Sequence, residues 1–409
     1  TDPLGANTAR NLCDKMYEKR KQGAQEVEVL VKELNANGEK ERILQIVDYL
    51  IANFSASPNG NHRKGALIAL AAVTIALGTD SYPLLPKLVP PVIKSFCDQD
   101  SRVRYYACES MYNISKVARS KILPFFNEIF DGLFKLVSDN DQQVQKGAQL
   151  LDRLMKDVAT EDESFSVDAF VLLLKERLYV GNPFARQFLL GWIQVLHSIA
   201  HIELVPSLPE FLDGIFHMVS DKNKEIRITA EHTLGEFLQE IEKNPPVVDF
   251  VSLVKILIPR CTSQDEDTKL IALTWIHSFI VSGKDVLVPC VDSILGAVLP
   301  SVASESDEIR ERAIKANNAL SKLVDGTEKE VPFKTLLPQI RAQLVSDYVN
   351  TRLAALRWVS LLHDRFPQDI ADYLDTLFYT LLKMLSDTSE VVTLSLEVMA
   401  RIGHNEGYF

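Results

Sequence analysis

Two histidines spaced by four, His197 and His201 in "HSIAH", come nearest in this sequence to a metal-binding pattern. On a helix that spacing puts two imidazoles on one face, but a zinc hydrolase also needs a glutamate after the first histidine, and Ser198 stands there. The pair reads as surface or capping histidines. "SGKD" at Ser282 to Asp285 has the Gly-Lys of a phosphate loop without the earlier Gly or the following Ser/Thr. "HDRF" at His363 to Phe366 scrambles the catalytic triplet of kinases, and "DFV" at Asp249 to Val251 is not their magnesium-binding signature. None of the five cysteines (Cys13, Cys97, Cys108, Cys261, Cys290) has an Arg six residues later, so the thiol phosphatase loop is missing too. Their odd number and scatter suit neither a disulfide framework nor a zinc module and fit a reducing compartment. The sequons at Asn53 and Asn113 lie in or beside helical patterns and read as accidental. The chain is therefore expected to be no enzyme, with no cofactor and no metal.

Composition narrows the classes further. The 409 residues are 46% hydrophobic and 24% charged, which describes a folded chain with a large core. A formal net charge of −11 opposes the broad phosphate contact of nucleic-acid binders. The longest apolar run, Ala66 to Leu77, is too short to span a bilayer and reads as a buried helix, and no charged-then-apolar leader opens the sequence. A start without Met and a stop soon after a helix lead us to expect the N-terminal part of a longer protein.

What could position side chains here is a repeat. Lys21, Arg63, Arg104, Gln145, Arg186, Arg227, Lys269, Arg310, Arg352 and Val392 follow one another at 40 to 42 residues, and eight of the ten are basic. Ten residues past each stand Val31, Val73, Ile114, Met155, Leu196, Phe237, Phe279, Leu320, Leu362 and Ile402, all apolar, where chance supplies about five. Three past them, eight of ten are Ala; seven past them, the apolar series is broken by Glu28, Asp152 and Asn317. These offsets share one helix face. Four residues before the reference, Asn59, Asp100, Asp141, Asn182, Asn223, Asp265, Ser306 and Thr388 are expected N-caps, with Tyr17 and Tyr348 out of pattern. Two residues earlier, Ser57, Asp98, Asp139, Asp221, Ser263, Ser304, Ser346 and Ser386 mark a polar turn. Upstream amphipathic segments such as Ile122 to Val137 and Leu208 to Val219 open on a Leu-Pro suited to a first helical turn. The spacing predicts an all-α fold, a right-handed α-solenoid of about ten HEAT-type helix pairs with a period near 41, continuous over 1–409. Armadillo units fit less well, because their third helix and Gly are not evident.

A cation in the first helical turn meets the unfavourable end of the helix dipole, so a local interaction must offset that. We expect Arg63, Arg104, Arg186, Arg227, Lys269, Arg310 and Arg352 to form an inter-repeat ladder with carboxylates such as Asp98, Asp139 and Asp221 in neighbouring turns. Trp192, Trp275 and Trp358 stand six past their references and are read as packing rather than as a partner-binding ladder. The basic run Arg102, Arg104, Lys116, Arg119 and Lys121 contains one acid, Glu109. Apart from Arg104 it is either a solvated face or a contact for an acidic partner or anionic lipid, and "KMYEKRK" at Lys15 to Lys21 is weighed the same way.

Longer blocks carry a closer likeness. "CDKMYEKRK" at Cys13, "HRKGALIALAAVTIALG" at His62, "DSRVRYYACESMYNISKVAR" at Asp100, "LLDRLMKDV" at Leu150, "FARQFLLGWI" at Phe184 and "LPEFLDGIFHMVSDKNKEIR" at Leu208 resemble the N-terminal half of the vacuole-morphology scaffold (ArPIKfyve) family. The likeness is strong from Ala9 to Leu299, and beyond that only the repeat rhythm carries it. It implies a non-catalytic scaffold that assembles the FYVE-domain phosphatidylinositol 3-phosphate 5-kinase with the Sac-domain phosphatase that removes its product, on endosomal and vacuolar or lysosomal membranes. It also implies self-association of the full-length protein and membrane contact that is indirect or peripheral, and it carries over no residue-level contact site. An importin-like transport adaptor, another acidic solenoid, is the alternative.

Overall fold

The computed structural model describes residues 2–404, and among them there are helices and turns but no strand. The chain divides into two compact units, one ending at Glu203 and the other beginning at Leu204. The first holds five helix pairs: Ala6–Leu12 with Tyr17–Ala36, Lys40–Leu50 with Gly60–Leu77, Leu85–Ser95 with Ser101–Ala118, Phe126–Leu136 with Gln142–Glu161, and Val167–Arg177 with Pro183–His197. The second holds five more: Leu212–Val219 with Lys224–Lys243, Phe250–Cys261 with Glu266–Gly283, Val291–Val298 with Asp307–Gly326, Phe333–Leu344 with Val349–Arg365, and Leu374–Lys383 with Ser389–Gly403.

Each second helix starts where the sequence places its cap. Oδ1 of Asn59, Asp100, Asp141, Asn182 and Asn223 accepts the backbone N–H two residues on at 2.8–2.9 Å, and Asp265 accepts that of Thr268 at 2.8 Å. These bonds satisfy amides that the helix leaves without partners. Ser306 and Thr388 occupy the cap position without a side-chain bond, and Met16, not Tyr17, precedes the first long helix. The ten apolar positions from Val31 to Ile402 are 0–3% exposed, so the residues chosen by period form the core. Small residues at the offset of three let neighbouring helices approach, and Ala66, Ala107, Ala148, Ala230, Ala272, Ala313 and Ala355 are fully buried. The closest approach is at Gly65, where a Cβ would stand 2.1 Å from the Leu12 carbonyl oxygen.

One local expectation needs correction. The Leu-Pro segments do not open the first helices; Pro124 and Pro209 lie inside 3₁₀ turns at Arg119–Phe125 and Val205–Glu210, and the α-helices begin at Phe126 and Leu212. Proline's fixed φ near −65° lies within the 3₁₀ range, and ahead of the α-helix its ring meets no helical carbonyl four residues back. Apolar stretches within 60–95 and 266–303 also pass a membrane-span test by length and composition. Each is broken by a 3₁₀ turn, at Gly78–Leu84 and Lys284–Cys290, and half or more of each window is buried against other helices, which is the behaviour of core helices.

Those 3₁₀ turns share a strained entry. Gly78, Arg119 and Lys284, each fifteen residues past its repeat's basic reference, have φ of 53°, 48° and 45° with ψ near −125°, while their N–H groups bond to Thr74, Ser115 and Ile280 carbonyls. That region suits Gly and costs a side-chain-bearing residue about 1–3 kcal/mol. Lys284→Gly is therefore expected to raise stability by about 1 kcal/mol in urea unfolding, after the entropy gained by the unfolded chain is subtracted.

Candidate interaction surface and the turns that carry it

The turn between the two helices of a pair is organised by its basic residue. Nη1 of Arg63, Arg104, Arg227, Arg310 and Arg352 donates to the carbonyl six residues upstream, in Ser57, Asp98, Asp221, Ser304 and Ser346, at 2.7–3.0 Å. Arg186 Nε reaches the Val180 carbonyl at 2.6 Å, and Gln145 Nε2 reaches that of Asp139 at 2.5 Å. In the first pair the role belongs to Arg20, not Lys21: Arg20 donates to the carbonyls of Asp14 and Lys15 at 2.8 and 3.0 Å, while Lys21 is exposed. Lys269 makes no side-chain bond of this kind among the described residues; its compact ammonium lacks the guanidinium fork.

Arg63, Arg104 and Arg352 among the ladder candidates also reach the next turn. Arg63 grips Asp98 through two bonds of 2.7 and 3.0 Å, Arg104 grips Asp139 at the same two distances, and Arg352 reaches Asp387 at 2.7 Å. Asp98 and Asp139 each also accept the N–H two residues on, at 2.9 Å, so one carboxylate ties its own turn to the preceding repeat. Where the turn carries Ser263, Ser304 or Ser346, the hydroxyl is too short and uncharged, and Arg227 and Arg310 hold their own turns instead. The Arg352 bond holds the Asp387 carboxyl below its usual range.

A second set of pairs joins first helices across repeats and was not read from the sequence. Lys87 binds Asp48 at 2.8 Å, Arg177 Nε binds Asp131 at 3.0 Å, and Arg260 Nη2 binds Asp213 at 2.5 Å. Their separations of 39, 46 and 47 residues fall off the 41-residue period, which hid them.

The basic run does not form one patch. Arg102 is in the first turn of Ser101–Ala118 and Lys116 in the last, so about 21 Å of helix separates them. Arg102 faces Asp141, whose carboxyl is lowered chiefly by the Gln143 N–H. At the other end Arg119 pairs with Glu161, and Lys121 lies near Asp162. Adjacent in sequence, these cations are divided in space and partly compensated.

The tryptophans are core residues, 0–1% exposed, and cannot meet a partner peptide. Trp192 and Trp358 donate their indole N–H to Asp152 and Asn317, both at 2.7 Å. This explains why the apolar series breaks at those two positions: each supplies the acceptor that a buried indole in the next repeat needs. Burial pushes the Asp152 carboxyl up, although Lys156 pairs with it at 2.7 Å.

The candidate catalytic and metal-binding residues are dispersed. His197 ends its helix and His201 lies in the turn beyond, so they do not share a helix face. No three His, Cys, Asp or Glu side chains cluster for a metal among the described residues. Burial pushes the thiols of Cys108 and Cys261 up to about 12, far from a reactive thiolate. His363 of "HDRF" and Gly283 of "SGKD" are buried at helix ends.

Paired helices, a near-constant period, capped turns and a buried small-residue stripe together define a HEAT-repeat protein. Residues 253–404 match the family model described as stalled ribosome sensor GCN1-like HEAT repeats, and residues 61–157 match the one described as the Vacuolar 14 Fab1-binding region. The chain belongs to the VAC14 family. It is 48% identical to Protein VAC14 homolog of Arabidopsis thaliana, an alignment covering 100% of this chain and 56% of that protein. Identity is 33% to Protein VAC14 homolog of Schizosaccharomyces pombe, with 96% and 61% covered. It is 26% to the Vacuole morphology and inheritance protein 14 of Saccharomyces cerevisiae, with 94% and 60% covered. The chain thus spans somewhat more than half the length of these relatives.

Arg104 and Arg227 are expected to respond differently to the same substitution. Arg104→Gln breaks a largely buried pair and should cost about 3 kcal/mol in urea unfolding. Arg227→Gln should cost under about 1 kcal/mol, because a Gln can keep the carbonyl bond as Gln145 does.

Proposed function

We propose that this chain is the repeat arm of a non-catalytic scaffold. In this reading it holds the FYVE-domain phosphatidylinositol 3-phosphate 5-kinase near the Sac-domain phosphatase that opposes it, and so sets the level of phosphatidylinositol 3,5-bisphosphate. The observation that carries the reading is the match of residues 61–157 to a Fab1-binding region within a chain of the VAC14 family. Those residues run from Gly60–Leu77 to Gln142–Glu161, and the Arg63–Asp98 and Arg104–Asp139 pairs fix their turns. A surface built on rigid, mutually stapled helices loses little freedom on binding, which favours a stable complex. Tethering two opposing enzymes to one body raises their effective concentration for each other without any chemistry by the tether. Membrane placement on endosomes and the vacuole or lysosome then comes through the bound enzymes, and self-association belongs to the full-length protein.

Within 61–157 the exposed side chains Arg102, Lys116 and Leu150 are candidates for the kinase contact, Leu150 being an exposed apolar residue on a helix that needs no apolar residue there. Charge reversal or Leu150→Glu there should leave melting unchanged, because no core contact is lost, and should reduce recovery of the lipid kinase by tagged full-length protein about tenfold. Kinase recovery that survives all three substitutions together would move the contact off this surface. A small nuclear GTPase recovered in place of the lipid kinase would favour a transport adaptor and overturn the scaffold reading.

A further inference from the structure

The second unit contains a groove of about 510 Å³ between Glu266–Gly283 and Asp307–Gly326, outside the segment assigned to kinase docking. One wall presents His277, Val281 and Lys284, the other Lys315, Ala319 and Lys322. Lys315, Ala319 and Lys322, spaced i, i+4, i+7, share one face of their helix, while His277 and Val281 share a face of the other and Lys284 stands just past its end. Both read cationic or imidazole, apolar, cationic. Lys315 and Lys322 are about 10 Å apart along their helix.

The ends are matched across the groove. Lys315 and Arg312 act on His277, whose imidazole is held below its usual range first by burial and then by these two cations, with Glu242 opposing them. Lys315 also pairs with Glu311. At the far end Lys284 and Lys322 are exposed and carry no ion pair among the described residues. Lys284 is aimed by the strained entry to its 3₁₀ turn, at φ 45°. Between the ends, Val281 is 54% exposed, an uncovered apolar side chain with Lys315 toward one end of the groove and Lys284 and Lys322 at the other. On a chain of net charge −11 this concentration of positive charge is a local exception.

We infer that this groove binds an extended acidic segment of a partner protein, with two carboxylate side chains three residues apart and an apolar side chain between them. Three residues of extended chain cover about 10 Å, the distance between the cationic ends. Successive side chains alternate in direction, so the two carboxylates turn to opposite walls, and the two residues between them face one the Val281 wall and the other the Ala319 wall. A free phosphate would leave that apolar centre uncovered, and a flat bilayer surface fits poorly into a recess between two helices. The site is independent of the kinase contact, and either can fail without the other.

The test is fluorescence anisotropy of the full chain with a labelled peptide, Gly-Ser-Glu-Leu-Val-Glu-Ser-Gly. Saturable binding that weakens with added salt is expected, together with a loss of about tenfold or more for Lys284→Gly combined with Lys322→Gln. The same loss is expected when both peptide glutamates become glutamines. Lys284→Gly relieves backbone strain while removing the charge, so a melting curve no lower than that of the wild type excludes unfolding as the cause. Absence of saturable binding, or binding that the lysine substitutions leave unchanged, would overturn the inference. Lysine-dependent sedimentation with phosphatidylcholine–phosphatidylserine vesicles, without peptide binding, would overturn it in favour of a membrane surface.

Discussion

The bond from a long polar side chain to the carbonyl five or six residues upstream is the interaction on which most of the helix pairs depend. It closes the turn at the point where the chain reverses, using acceptors that no helix or sheet would otherwise satisfy. It also explains why a cation is tolerated at a helix start: its charge is spent on carbonyl dipoles and, in some turns, on a carboxylate, instead of facing the positive end of the helix alone. Gln145 shows that the bond forms without the charge. With the turn closed, the cap, the small-residue stripe and the core position ten residues on all fall into fixed places on the second helix.

Much of this was legible because it recurs. Period, caps and core positions each appear about ten times, so a single departure does not obscure the rule, and Phe237 or Ile114 can be assigned to the interior from spacing alone. The ladder was half legible. Its cations follow the period, but its acids exist only where the turn residue is Asp, and the sequence offered Asp and Ser as equivalent turn formers. Their side chains differ in reach and charge, and only Asp joins two repeats. The Lys21 assignment failed by one residue because Ala24 and Val31 fit that register equally well, and only the carbonyl bond identifies Arg20.

Surface properties were the least legible. Arg102 and Lys116 look adjacent in a string of letters but stand at opposite ends of one helix. Lys284 and Lys322 are separated by 38 residues yet share a groove. Charge patches on a repeat protein form between neighbouring helices at matched heights, so the useful comparison is one period along the chain and not a few residues along it. The polar breaks at Asp152 and Asn317 teach the same lesson, since each is intelligible only beside the tryptophan one repeat later.

The uneven distribution of the Arg–Asp pairs has a mechanical meaning. In a linear array, stability is the sum of what each repeat holds within itself and what it shares with its neighbours, and a weak shared term marks where the array parts under load. In the first unit Arg63 and Arg104 staple consecutive turns through charged pairs, whereas the second-unit joints at the Ser263, Ser304 and Ser346 turns lack that Arg–Asp pair among the described residues and are crossed instead by bonds such as Ser278 to Glu242, Thr327 to Asp285 and Trp358 to Asn317. Joints closed by an Arg–Asp pair weaken as salt rises, whereas a neutral bond such as Trp358 to Asn317 is little affected, so ionic strength loosens this array unevenly from joint to joint.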